Sequence, residues 1–339
     1  MQHCNKVTIQ QCNSLTYICT DKKKLKKHQQ QIMAIITLGT MAFDAIETPF
    51  GKVDKIVGGS ATYVAYSACH LTQPLQQISI VGSDFPKEEM DELRKRGVQL
   101  TGVEVVPDAK SFFWSGKYHL DMNARDTLVT DLNVLADFDP KVPEEYQGAE
   151  FLMLGNLMPK LQLSVIDQLR TRPKLIVLDT MNFWMESAYD DLKKVLTKVD
   201  VLMINDSEAR QLSGEFSLVK SAKKILCMGP KFLIIKKGEH GALLFHEDHV
   251  FFAPALPLED VFDPTGAGDS FAGGFIGHIA HTKNISFENM KTGIIVGSAL
   301  ASYCCEKFGP QRLKEITKKD IDERLSQFVQ LVNFDIDLV

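Results

Sequence analysis

The sequence predicts an α/β fold, a three-layer αβα sandwich with a small antiparallel β-sheet standing beside it as a lid. Three observations predict it. Short unbroken apolar runs recur along the chain, as in parallel strands buried on both faces. Segments of helical period separate them. One stretch, residues 101–135, breaks this rhythm with short alternating segments and turns.

The strand-like runs are "AIITLG" (34–39), "QISIVG" (77–82), "FLMLGN" (151–156), "LIVLDT" (175–180), "VLMIND" (201–206) and "FLIIKKG" (232–238). Helices are expected near 60–71, 86–96, 159–171, 186–198 and 206–228, then at 269–281, 287–305 and 317–331. Residues 101–135, joined by 43–57, would form the lid. This segment is an edge hairpin with no function, or a lid that covers a pocket and excludes water. The aromatics Phe112, Phe113, Trp114 and Tyr118 are expected on its surface, where they would also suit a homodimer contact.

Composition narrows the class. The chain has 339 residues, 45% of them hydrophobic, enough for a large core. Its net charge of −5 lacks the basic excess of a nucleic-acid binder. No run of about 18 apolar residues is present, so no membrane span is expected. The N-terminus lacks the plan of a signal peptide. The 7 cysteines are odd in number, which fits reduced thiols and a cytoplasmic setting. Residues 1–32 end in the polar tract "DKKKLKKHQQQ", which cannot bury a core. They read as a disordered extension before a domain at 33–339, with Met33 as a second candidate start.

The stretch "DPTGAGDSFAGGF" (263–275) carries the most chemistry. Gly266 and Gly268 allow backbone angles closed to other residues. A helix starting at Asp269 would leave several amides near 266–270 without helical partners. Those of Gly266, Ala267 and Gly268 would converge on one spot, where the helix dipole favours an anion such as a phosphoryl group. Asp269 has two readings. It is a helix cap, or it is a general base beside that anion hole.

Other candidates follow the same pattern. Asn205 and Glu208 in "NDSE" stand three apart just past a buried strand. They would cap a helix, or organise Mg²⁺ and its waters, with Glu208 acting through water. Gly238 and Gly241 in "KKGEHGA" make a hairpin turn, which beside a nucleotide would cradle phosphate or ribose. Asp44 follows the first strand, and Gly58 and Gly59 precede a helix. They are turn residues, or they hold sugar hydroxyls. No G-x-x-x-x-G-K-[ST] occurs, which excludes a P-loop.

In this order the pieces resemble the ribokinase-like (PfkB) carbohydrate kinase family. "DPTGAGDSFAGGF" is similar to its C-terminal signature, "GGSATYVA" to its weaker glycine signature, "NDSE" to its N-x-x-E motif and "KKGEHGA" to its strand-turn-strand before the nucleotide. The resemblance runs from Ala34 to the C-terminus. It implies ATP as phosphate donor, Mg²⁺ as cofactor and a small-molecule acceptor. Asp269 would be the base, Gly266, Ala267 and Gly268 the anion hole, and Asn205 and Glu208 the Mg²⁺ organisers. Lys236, Gly238 and Gly241 would lie near the nucleotide. Asp44, Gly58, Gly59 and Tyr63 would face the acceptor. Many members bind K⁺ beside the anion hole, where Asp263 and Thr265 stand.

Two departures bear on the acceptor. Tyr63 takes the place of an Asn that touches sugar, and "DTMNFWME" keeps Asp179 and Asn182 but lacks the usual Pro. Tyr63, Trp184 and the lid aromatics suit a larger, flatter acceptor such as a nucleoside. The alternatives are thus a sugar kinase, an adenosine-like nucleoside kinase, or a binding regulator that lost catalysis. The intact Asp269 and glycine run argue against the last.

Overall fold

The computed structural model of the protein describes residues 34–333. The extension expected at 1–32 lies outside the described residues.

The chain opens with strand β1 (Ile35–Leu38), then the hairpin β2 (Ala42–Thr48) and β3 (Gly51–Gly58). Helix α1 (Ser60–Ala68), β4 (Leu75–Gly82), α2 (Lys87–Lys95) and β5 (Val98–Val106) follow. A second hairpin is β6 (Phe112–Tyr118) and β7 (Arg125–Asp131). Then come β8 (Phe151–Leu154), α3 (Pro159–Gln168), β9 (Leu175–Asp179), α4 (Asn182–Ser187) and α5 (Tyr189–Leu196). They lead to β10 (Val201–Asn205), α6 (Asp206–Ser213), α7 (Leu218–Leu226) and β11 (Phe232–Lys236). The antiparallel pair β12 (Ala242–His246) and β13 (His249–Ala253) completes the strands. Four helices end the described chain: α8 (Ala267–Thr282), α9 (Phe287–Cys304), α10 (Gln311–Glu315) and α11 (Lys318–Val332).

The large sheet has the order β13-β12-β11-β10-β9-β8-β1-β4-β5. All its pairs from β11 to β5 are parallel. Alternate strand residues serve opposite faces. Ile36, Leu152, Ile176, Leu202 and Leu233 pack with helices α3 to α7. Ile35, Phe151, Val177, Met203 and Ile234 pack with α1, α8 and α9. Burying each such side chain contributes roughly 1.5–3 kcal/mol, so both helical layers are held firmly.

The structure departs from expectation in three places. Val98–Val106 joins the large sheet beside β4, so the second lid segment starts at Phe112 rather than 101. As an edge strand it alternates buried and exposed residues, which makes it read like a lid strand. The lid sheet, ordered β3-β2-β6-β7, is mixed rather than antiparallel, because β2 and β6 run parallel. The helix expected over 206–228 is two, broken at Gly214 in the left-handed conformation. Among the described residues no helix is long and apolar enough to cross a membrane.

Candidate active site

Parallel strands leave their carboxyl ends at one edge of the sheet, where ligands of open α/β folds bind. Asp179 ends β9, Asn205 ends β10 and Lys236 ends β11. Register sets Asn205 opposite Lys236. The Lys236 ammonium donates to both Asp179 oxygens, at 3.1 and 2.9 Å. Burial works against the charge on Lys236, but Asp179 and then Glu208 hold its pKa above the usual lysine range.

Helix α8 begins at Ala267, two residues earlier than expected. Its cap is Gly266, at φ 78, and Asp269 is the third helical residue with no capping hydrogen bond. The cap reading of Asp269 therefore gives way. Ala267 N–H donates to Pro264 O at 3.1 Å and Ser270 N–H to Gly266 O at 2.8 Å. The amides of Gly266 and Gly268 have no backbone acceptor among the described residues. A Cβ on Gly268 would lie 3.1 Å from Lys236 Nζ, so the ammonium and the bare amides share one small space. Burial first, then the charge of Asp179, pushes Asp269 up to about 7, against Lys236 and Arg125.

Asp44, Gly58 and Gly59 do come together. A Cβ on Gly58 would meet the Asp44 carboxylate at 1.9 Å, and Gly59, at φ 92, caps α1. Burial, then Asp263 and Asp269, pushes Asp44 up to about 8, against the Gly59 amide and Arg125. Tyr63 is placed otherwise than expected. It is buried, its ring fills the space a Cβ on Gly266 would need, at 2.4 Å, and its hydroxyl has no partner. Position 63 is an interior site because α1 packs along α8.

Asn205 and Glu208 form a capping box on α6, each side chain accepting from the other's amide at 2.8 Å. Burial raises Glu208 to about 7 while Lys236 opposes it. Its second oxygen is uncommitted, and one such carboxylate is what a largely water-bound Mg²⁺ requires. Asp263 is fully buried and joins two loops. One oxygen accepts from Thr265 N at 2.8 Å, the other from Gly309 N at 2.9 Å. Burial raises its pKa against those two amides. Thr265 Oγ1 donates to the Tyr118 hydroxyl at 3.1 Å, which ties the lid to this loop. Tyr118 is thus buried, not a surface aromatic.

The turn after β11 holds Gly238 at φ 55 and Gly241 at φ 82. Asn123, at the tip of the β6–β7 hairpin, bonds Glu239 at 3.2 Å, and its Oδ1 lies 2.5 Å from a Cβ built on Gly238. The lid tip therefore touches the turn expected to face a nucleotide.

Residues 34–317 match the family described as pfkB family carbohydrate kinase. The chain belongs to the pfkB family. It is a small-molecule kinase that phosphorylates a hydroxyl. A cytidine kinase of Thermococcus kodakarensis is 27% identical over 293 residues, 85% of this chain and 97% of that protein. Among solved structures, the Burkholderia thailandensis nucleoside kinase in complex with inosine has a TM-score of 0.71 at 22% identity, covering 87% of this chain and 99% of that one. The E. coli protein described as a putative Ribokinase II, in complex with ATP and Mg²⁺, has a TM-score of 0.72 at 18% identity, covering 88% and 100%.

The sequence assigns no role to two members of this pfkB site: Asp179, a kept motif residue only, and Arg125. Asp179 carries a signal, an acid closing the buried run "LIVLD", yet its partner Lys236 lies 57 positions away. Arg125, on β7, carries none. It stacks near Trp114 and Tyr118, at 5.5 and 6.0 Å, and its charge is felt at Asp44, Glu208 and Asp269. Only the closing of the lid sheet over the strand ends brings it there.

Proposed function

We propose that this kinase transfers the γ-phosphate of ATP to a hydroxyl of a sugar-containing metabolite, with Asp269 as general base. One observation carries the reading: a buried carboxylate, raised to about 7, lies at the helix start whose glycine amides are bare. Bound MgATP would supply the phosphoryl group, with much of its charge neutralised by the metal. The bare amides of Gly266 and Gly268 would meet the charge that remains, whereas the Ala267 amide expected beside them is already bonded to Pro264 O. Asp44, with the Gly58–Gly59 turn, would orient the acceptor, whose hydroxyl proton passes to Asp269. Asn205 and Glu208 would hold water around Mg²⁺. Lys236, Gly238 and Gly241 would face the nucleotide.

K⁺ at Asp263 and Thr265 belongs to the same reading. Both Asp263 oxygens already accept one amide hydrogen, and each keeps a lone pair for a cation.

The acceptor is a nucleoside on the stronger reading. The cytidine kinase and the inosine-bound kinase favour it. So does Trp114, which sits beside Asp44 in the lid register and offers a flat surface. A panel of free sugars and nucleosides, read as ATP converted to ADP, tests this. Turnover of simple sugars alone would remove the nucleoside. Asp269→Asn is expected to cut kcat roughly 100-fold or more while ATP still binds. Near-wild-type turnover would remove the base. A cytoplasmic setting agrees with four free cysteines among the described residues. Pairing of two copies through the exposed strand β7 is the matching oligomer, checked by sedimentation.

A further inference from the structure

We infer that Lys236 is a catalytic residue that contacts the transferring phosphoryl group, and that Asp179 is the residue that positions it. The inference rests on the kinase reading above.

Lys236 is no surface lysine. It ends a strand of the central sheet, and its side chain is only 18% exposed. An ammonium has three donors, and two go to the Asp179 carboxylate, at 3.1 and 2.9 Å. The third is left for a ligand. Its direction is limited by what surrounds Nζ, and the anion hole is one neighbour. A Cβ on Gly268 would stand 3.1 Å from Nζ.

Gly268 itself supports this. Unlike Gly266, it has no positive φ, so its backbone angles do not demand glycine. What a side chain there would disturb is the gap between the ammonium and the first turn of α8. Glycine keeps that gap open. A phosphoryl group bound by the bare amides would then lie within reach of Lys236. In the transfer, the acceptor oxygen forms the new bond to phosphorus and the bond to the ADP oxygen breaks. The hydroxyl proton passes to Asp269, and Lys236 stays protonated throughout. Asp179 fixes the ammonium beside the hole before any anion arrives and balances its charge. The charges of Glu208 and then Asp269 also favour the protonated form of Lys236.

The test uses the full chain and two readouts. One is steady-state kinetics with the best acceptor. The other is calorimetric binding of ADP, and of ADP with aluminium fluoride as a mimic of the transferring group, both with Mg²⁺. Lys236→Met is expected to lower kcat roughly 100-fold. Its ADP affinity should stay within about threefold, while affinity for the fluoride complex falls by about 30-fold or more. The double variant Lys236→Met/Asp179→Asn removes both charges, leaves no buried charge alone, and should behave the same. Asp179→Asn alone should lower kcat about 10-fold, with partial recovery in Asp179→Glu. The inference is overturned if the double variant keeps kcat within about threefold of wild type. It is also overturned if ADP and its fluoride complex weaken equally. A wild-type chain that phosphorylates no acceptor would instead remove the kinase reading itself.

Discussion

Asp269 must be ionised to accept a proton, and its burial opposes that. With its pKa near 7, kcat/KM should rise with pH through about 7 and level off above it. A profile flat from pH 6 to 8 would count against the base. Asp44 gives a stability prediction of definite sign. Its pKa is raised from 3.8 to about 8 in the folded state, which binds the proton that the unfolded chain releases. The stabilisation is complete below pH 4 and is lost as pH rises through 8. Asp44→Asn should therefore raise Tm most at pH 8.5, by less at each lower pH, and hardly at all at pH 4, as a melting series would show. At this scale the sequence singled out Asp269 by the glycines beside it and Asp44 by its place after the first strand, although the glycines that meet Asp44 lie 14 and 15 positions on. It was silent on Arg125, whose role depends on where a distant hairpin closes. At Tyr63 it named the residue but not its burial, since a motif position does not say that the ring packs against Gly266.

The first turn of α8 is the element on which the site depends. Gly266 serves two requirements at once, a left-handed backbone and room for the Tyr63 ring. Gly266→Ala should cost about 1–3 kcal/mol from overpacking, with added strain from the backbone. Urea denaturation should show the loss, and kcat should fall with it, because the amides turn away with the cap. Element boundaries were legible where burial is symmetric. Strands β8 to β11 are apolar on both faces, and their runs announce them. Edge strand β5 is half exposed, so its alternation pointed to the lid. The start of α8 was misplaced because the polar Asp269 resembles a cap, whereas Gly266 caps by conformation, which composition does not display.

Across the whole molecule, the two helical layers fix the sheet and the sheet fixes the strand ends. The lid alone spans the site, held by Tyr118–Thr265 near the anion hole and Asn123–Glu239 at the glycine turn. Asn123→Ala should raise the KM for ATP a few-fold, on the order of the 1 kcal/mol that one exposed hydrogen bond contributes. Steady-state titration of ATP checks it. The order of the lid strands was not legible, since pairing β2 with β6 joins segments that the sequence separates by three strands and two helices.

The hairpin that ends in Asn123 also bears Arg125, two residues on, so one rigid turn reads both halves of the pocket. Displacing its tip from the Glu239 turn carries the Arg125 charge away from Asp269 as well. Thrift follows from that linkage: a lid loosened at the nucleotide end also loosens the acceptor end and admits water as a rival nucleophile. The ratio of ADP formed to acceptor phosphorylated would then climb above one, a leak visible only when both products are counted.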